Sequence, residues 1–390
     1  MKATALAAHT PEAVRAALAA RGWDAQPASF AATGMQPLVV LFEDITETER
    51  EALVRWSARG GADLLTGDGW ALLAAAASRL APLGRHDRTT ADLEGLIPEL
   101  VRLFTAWADP PRIWRIAGAE LPLAEPLLIG ILNVTPDSFS DGGRFAGADA
   151  ALAQAERLKT DGAGLLDVGG ESTRPGAREV PEAEEIERVV PVIAALVRRG
   201  LGPVSVDTRK AAVARAALEA GAAAVNDVSG LAHDAALAGT VAAAGGGAGL
   251  ILMHMRGTPD TMDGLATYRH VAVEVAAELR AVAERAEGAG VARAAIAVDP
   301  GFGFAKNAEQ NWRLLDELAT IAGLGYPVVV GPSRKRFLGA ATGRPVEDRD
   351  RATAAACALA WERGARAFRV HDVALAREAL LVARATTLAR

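Results

Sequence analysis

Cysteine is all but missing from the 390 residues. Cys357 stands alone, so no disulfide can form within the chain, and a reducing compartment fits. Histidine is sparse too, with six residues, and no His–Cys cluster or histidine pair at helical spacing suggests zinc. An excess of positive charge is lacking. The 42 basic and 48 acidic residues leave a net charge of −6, which gives no electrostatic reason to expect a nucleic acid or an anionic membrane as partner. The longest uncharged run, Ala235–Met253, approaches membrane-spanning length. It carries Gly239, Gly245, Gly246, Gly247 and Gly249, however, and reads as helix end, loop and strand. The start, MKATALAAHTPEAVRAA, has one lysine and too short an apolar stretch for a signal peptide. A soluble, cytoplasmic protein is the expectation. Two phosphate-loop signatures are absent as well: no G-x-G-x-x-G follows a first strand, and PGFGFAKN (Pro300–Asn307) lacks the G-x-x-x-x-G-K-[ST] spacing.

What is present falls into two parts. Residues 1–125 hold Trp23, Trp56, Trp70, Trp107 and Trp114, five of the seven tryptophans, but no constellation of catalytic groups. Thr10-Pro11-Glu12 has the form of a helix start. Pro37–Phe42 reads as a strand, Thr46–Ala58 as a helix with a capping hydroxyl and first-turn acids, Ala62–Thr66 as a second strand and Trp70–Leu80 as another helix. This predicts a small α/β or α+β domain. Prolines at 110, 111, 122 and 126 suggest a linker. Residues 1–125 hold enough apolar side chains for a small core of their own, so a chain beginning near Glu120 is expected to fold and stay active, provided Trp107 and Trp114 do not pack on the main domain.

From residue 126 onward the pattern is regular. Eight apolar runs alternate with helical stretches: Leu127–Val134, Gly164–Val168, Pro203–Val206, Ala223–Val225, Gly249–Met253, Ala294–Val298, Pro327–Val330 and Ala367–Val370. Helical periodicity covers Asp149–Thr160, Glu182–Arg198, Lys210–Glu219, His270–Glu287 and Ala308–Ala322. Such alternation predicts a (β/α)8 TIM barrel over residues 126–390.

Each run stops on groups suited to binding. They are Asn133; Asp167 with Glu171, Ser172, Thr173 and Arg174; Asp207; Asn226 and Asp227; His254 and Arg256; Asp299; Ser333, Arg334 and Lys335; and Arg369, His371 and Asp372. In a barrel the strand C-termini converge on one mouth, so these residues share a site. Asp207, Asn226, Asp299 and Lys335 suit a flat heterocycle with paired N–H donors. Arg369 and His371, with Asn133 and Arg174, suit a polyanion, and for Arg369 and His371 an ion pair with Asp372 is an equal alternative. Asp227, followed by Val228-Ser229, equally suits turn chemistry. Asn133 offers an amide oxygen to a hard cation.

The motifs NVTPDSFSDGG (Asn133–Gly143), DVGGESTRPGA (Asp167–Ala177), SVDT (Ser205–Thr208), NDVSG (Asn226–Gly230), LMHMRGTP (Leu252–Pro259), DPGFGF (Asp299–Phe304), GPSRKRFLG (Gly331–Gly339) and RVHDV (Arg369–Val373) together resemble the dihydropteroate synthase family, in its order. The resemblance implies that 6-hydroxymethyl-7,8-dihydropterin diphosphate and 4-aminobenzoate condense to 7,8-dihydropteroate and diphosphate. It implies that Asp207, Asn226, Asp299 and Lys335 hold the pterin, with Met253 and Phe304 lining its slot. Thr173, Arg174 and Pro175 belong to the family's second loop, and Ser333 lies beside the aminobenzoate carboxylate. Arg369 and His371 contact the leaving diphosphate, and Asn133 ligates its Mg²⁺. Asp207, Lys335 and Arg174 form the implied catalytic set, in an implied homodimer. Ala305 stands where the family often has glycine. A pterin-dependent methyltransferase need not carry the two long loops, and a non-catalytic pterin-binding paralogue need not keep every site.

Overall fold

The structure, a computed structural model, describes residues 37–60, 62–76, 102, 105–106, 109–134, 143–172 and 178–388. They fall in two compact units, the second running from Pro110 to Thr387 and the first holding the residues up to Asp109 together with Leu388. The expected helix start at Thr10, with Trp23 and Trp107, lies outside the described residues.

In the first unit, β1 (Pro37–Glu43) leads to α1 (Glu47–Gly60), then β2 (Asp63–Gly67) and β3 (Trp70–Ala76). The α1 start is a reciprocal cap. Thr46 N donates to Glu49 Oε2 at 2.8 Å, and Glu49 N donates to Thr46 Oγ1 at 3.3 Å. The strands form an antiparallel sheet in the order β1-β3-β2. Trp70–Ala76 was expected to be helical and is instead the central strand. Gly67 pairs with Trp70 across a two-residue turn, Asp68-Gly69, with Gly69 at φ +73°. That Asp-Gly turn is a hairpin signal. It also imposes the period of two by which Ala71, Leu73 and Ala75 are buried against Val40, Phe42 and Leu53.

The second unit opens with a hairpin, β4 (Ile113–Ile116) and β5 (Ala119–Pro122). Its side chains close the floor of the barrel. Trp114, Ile116, Leu121 and Leu123 pack on Leu127, Ile129, Leu165, Ala224, Ile251, Ala297, Val329 and Ala367. Trp114 is fully buried, and its Nε1 donates to Ala295 O at 2.9 Å. Gly249 leaves the space this needs, because a Cβ there would lie 2.3 Å from Ile116 Cγ2. The sequence reading ended the first segment at residue 125, whereas the structure places this hairpin on the barrel side. Its prolines signal the bounds of a short ribbon rather than a free linker.

The barrel strands are β6 (Leu127–Asn133), β7 (Leu165–Gly169), β8 (Val204–Asp207), β9 (Ala224–Asp227), β10 (Gly249–Met253), β11 (Ile296–Asp299), β12 (Val329–Val330) and β13 (Ala367–Val370). All are parallel in one eight-stranded sheet, and a bridge between Val298 and Val328 joins its two ends. Around it lie α2 (Gly143–Thr160), α3 (Glu182–Arg198), α4 (Ala211–Glu219), α5 (Leu237–Ala243), α6 (Val271–Gly288), α7 (Ala308–Asp316), α8 (Ala319–Ala322), α9 (Arg336–Thr342), α10 (Asp350–Glu362) and α11 (Val373–Leu388). The stretch Ala308–Ala322, expected as one helix, is thus two. No described helix is long and apolar enough to cross a membrane. Ala235–Met253 divides into α5, a glycine turn and β10.

Candidate active site in the barrel mouth

Alternation along each strand decides what meets in the lumen. The floor residues Ile129, Leu165, Ala224, Ile251, Ala297 and Ala367 all face inward. Counting on in twos reaches Asn133, Asp167 and Gly169, Asn226, Met253, Asp299 and Arg369. Strand β8 contributes Ser205 and Asp207 through the pairings Asp167–Ser205 and Gly169–Asp207. A polar layer therefore stands on an apolar floor.

Arg369 joins the layer together. Its Nε donates to Asp167 Oδ2 at 2.6 Å and its Nη2 to Asp207 Oδ2 at 2.7 Å. Asp167 is fully buried, and also accepts from Ser205 Oγ at 2.6 Å and Asn226 Nδ2 at 3.0 Å. The Asn226 amide is thereby oriented, with its oxygen left as an acceptor for a ligand. Asp167 was named at a strand end but given no role from sequence. Its position two residues beyond inward-facing Leu165 was the available signal. Burial pushes the Asp207 carboxyl up to about 7, with Arg369 opposing and Asp167 adding to the shift. Burial also raises Asp299, to about 6, against the pull of the Gly301 N–H at 2.7 Å and of Lys335.

Above the layer, Met253, Phe304, Val228, Met262 and Ala305 form a small apolar cluster. The Lys335 ammonium lies 3.9 Å from the Phe304 ring centroid, a cation–π contact. Ser333 Oγ and His371 Nδ1 are 2.9 Å apart, and His371 N donates to the same hydroxyl. Arg369 turns to Asp167 and Asp207, while Asp372 Oδ1 accepts from Leu375 N at the start of α11. Asp227 points away from the lumen. It accepts from Ser229 N, Ser229 Oγ and Leu231 N, as the turn reading expected.

Asn133 ends β6 with its side chain exposed, and Gly169 lies between it and Asp207. Among the described residues no group of three or more His, Cys, Asp or Glu could cage a metal. A single exposed amide oxygen is compatible with Mg²⁺, an ion that keeps several waters and needs few protein ligands. Thr173, Arg174 and Pro175 lie outside the described residues. Their flanks are tied together. Lys210 Nζ donates to Glu171 Oε2 at 3.0 Å, Glu185 Oε2 at 2.7 Å and Val180 O at 2.6 Å, while Val180 N donates to Glu171 Oε1.

A buried layer of carboxylate, amide and guanidinium beneath a small apolar cluster can grip a flat, N–H-rich ring on its edge and faces. Residues 129–371 match the sequence profile of the family described as pterin binding enzyme. The chain belongs to that family. Among pterin-binding enzymes, the dihydropteroate synthase of Mycobacterium leprae is 45% identical over 269 residues, 67% of this chain and 94% of that protein. The Escherichia coli K12 dihydropteroate synthase is 42% identical over 273 residues, 70% of this chain and 96% of that protein. The Xanthomonas albilineans dihydropteroate synthase solved with 4-aminobenzoic acid aligns with a TM-score of 0.66 at 45% identity, over 71% of this chain and 98% of that one. The same organism's enzyme in complex with 7,8-dihydropteroate aligns at 0.62 and 39% identity, over 71% and 99%.

Proposed function

We propose that this pterin-binding barrel is a dihydropteroate synthase. It condenses 6-hydroxymethyl-7,8-dihydropterin diphosphate with 4-aminobenzoate to give 7,8-dihydropteroate and diphosphate. The observation that carries the reading is the convergence of Asp207, Asn226, Asp299 and Lys335 on one lumen beside the Met253–Phe304 cluster, in a chain 45% identical over 269 residues to one such enzyme.

Asp299 and Asn226 accept from the N–H edge of the pterin, while Met253 and Phe304 enclose its faces. Lys335 supplies a cation at the Phe304 side of the ring. The bond between the pterin methylene carbon and the diphosphate oxygen breaks, and its electron pair leaves with diphosphate. Arg369 and His371 neutralise that leaving group at the mouth of the last strand. Asn133 would hold Mg²⁺, which supplies further neutralisation of the phosphate oxygens when bound. The ionised Asp207 stabilises the cation left on the methylene, which is conjugated with the pterin. The neutral arylamine then forms the C–N bond and releases a proton, so no strong base is required. Ser333 is the group proposed beside the 4-aminobenzoate carboxylate, with Thr173 a further substrate-binding residue, and Arg174 joins Asp207 and Lys335 in the catalytic set. The family likeness also implies a homodimer, which sedimentation would test. Mixing both substrates with Mg²⁺ should release diphosphate and form dihydropteroate in equal amounts. No release from folded protein would overturn the assignment.

A further inference from the structure

Lys306 is a buried cation to which the scheme above gives no task. It is 4% exposed and closes the turn that follows β11. Its ammonium donates to Gly301 O at 3.2 Å and Phe304 O at 3.0 Å, and its third partner is His254 Nδ1 at 2.9 Å. That contact sets the histidine tautomer: Nδ1 accepts, so the proton sits on Nε2 and is donated to Glu278 Oε2 at 3.0 Å. Burial, reinforced by Lys306, pushes His254 down to about 4, so the ring is neutral at neutral pH.

The turn that Lys306 fastens is costly to form. Gly301, Gly303 and Ala305 have φ of +70°, +77° and +49°. A Cβ on Gly301 would meet His254 O at 2.0 Å. Asp299 opens this turn and Phe304 ends it, so two groups assigned to the pterin hang on the carbonyls that Lys306 holds. The charged groups around Lys306 are Asp299 from β11, Glu278 from α6, Arg256 beyond β10 and Lys335 before α9, with neutral His254 between them. Burial lowers Lys306 to about 7, against the pull of Asp299 and Glu278. In return, its charge draws Asp299 toward the ionised form.

We propose that Lys306 is a positioning residue for the pterin, shaping the Asp299–Phe304 turn and holding Asp299 ionised. The inference rests on the pterin-binding reading above. A merely structural lysine would change melting temperature alone. A positioning lysine also changes the pH at which the pterin is bound. The test is calorimetric binding of 6-hydroxymethylpterin between pH 5 and 8.5 to wild-type, Lys306→Met and Lys306→Arg chains, together with separate KM values for the two substrates. The wild type should bind more tightly as Asp299 ionises. In Lys306→Met the midpoint should move to higher pH, pterin affinity at pH 7 should fall about tenfold, equivalent to about 1.4 kcal/mol, and the KM for 4-aminobenzoate should hardly change. Lys306→Arg should return the midpoint toward wild type. If Lys306→Met does not melt cooperatively, Lys306→Gln carries the same comparison. A folded Lys306→Met or Lys306→Gln with wild-type midpoint and affinity overturns this inference alone. Absence of pterin binding by the wild type overturns the functional reading, and this inference with it.

Discussion

Asp207 shows how one residue can be both costly and necessary. It is pulled by Arg369, faces Asp167 across the guanidinium, and titrates near 7 because burial disfavours its charge. Asp207→Asn keeps the shape and removes only the charge. Arg369 retains Asp167, so the barrel should melt as before, while kcat falls by about 10²–10³, the range typical of losing one preorganised electrostatic group. Steady-state kinetics beside a thermal melt checks both halves. Asp299→Ala leaves the pterin edge without its acceptor and should weaken pterin binding by about 1–3 kcal/mol, read by calorimetry.

The same two carboxyls set a pH dependence. Both have folded values above their ordinary one, Asp207 at about 7 and Asp299 at about 6. Between about 4 and 7 the folded chain therefore binds more protons than the unfolded chain. Their contribution to stability is complete at low pH and is lost as pH rises through that window. Activity runs the opposite way, because both must be ionised to act. A kcat/KM profile for the pterin diphosphate should rise through pH 6 to 7. A flat profile there would contradict the roles given to both residues.

At the scale of elements, the barrel strands were legible because each is a mostly apolar run with polar groups near or soon after its end. Leu127, Gly249 and Ala367 begin strands where the apolar runs begin. Two features were not legible. Trp70–Ala76 is apolar throughout, so composition could not separate helix from strand, and only the Asp68-Gly69 turn distinguished them. Trp114 finds its partner at Ala295, 181 residues away, a separation that local pattern does not encode. Lys306 was hidden for a related reason. Its partner His254, and the Glu278 to which that histidine donates, come from the preceding strand–helix unit. The hairpin yields a prediction of its own: Trp114→Ala empties the barrel floor and should cost about 3–5 kcal/mol in chemical denaturation, with little change in KM.

For the whole molecule, the division at Pro110 moves the useful cut. A chain beginning at Pro110 keeps β4 and β5 and should melt cooperatively and form dihydropteroate at the full-length rate. A chain beginning near Glu120, the start expected from sequence, loses Trp114 and Ile116 from the floor and should melt markedly lower. Equal melting of the two truncations would show the hairpin to be dispensable.

Arg369 reaches back 202 residues to Asp167 and 162 to Asp207, from the last strand of the barrel. In the sheet, β13 lies between β6 and β12, so the ring stays open until that final strand docks. Until then Asp167 and Asp207 lack their shared guanidinium and only repel each other. Contacts this distant in sequence form late, because the loop they close is long. The charged layer is therefore completed by the closing stave. Recovery of pterin binding during refolding should trail the recovery of helical signal, making the site a reporter of barrel closure.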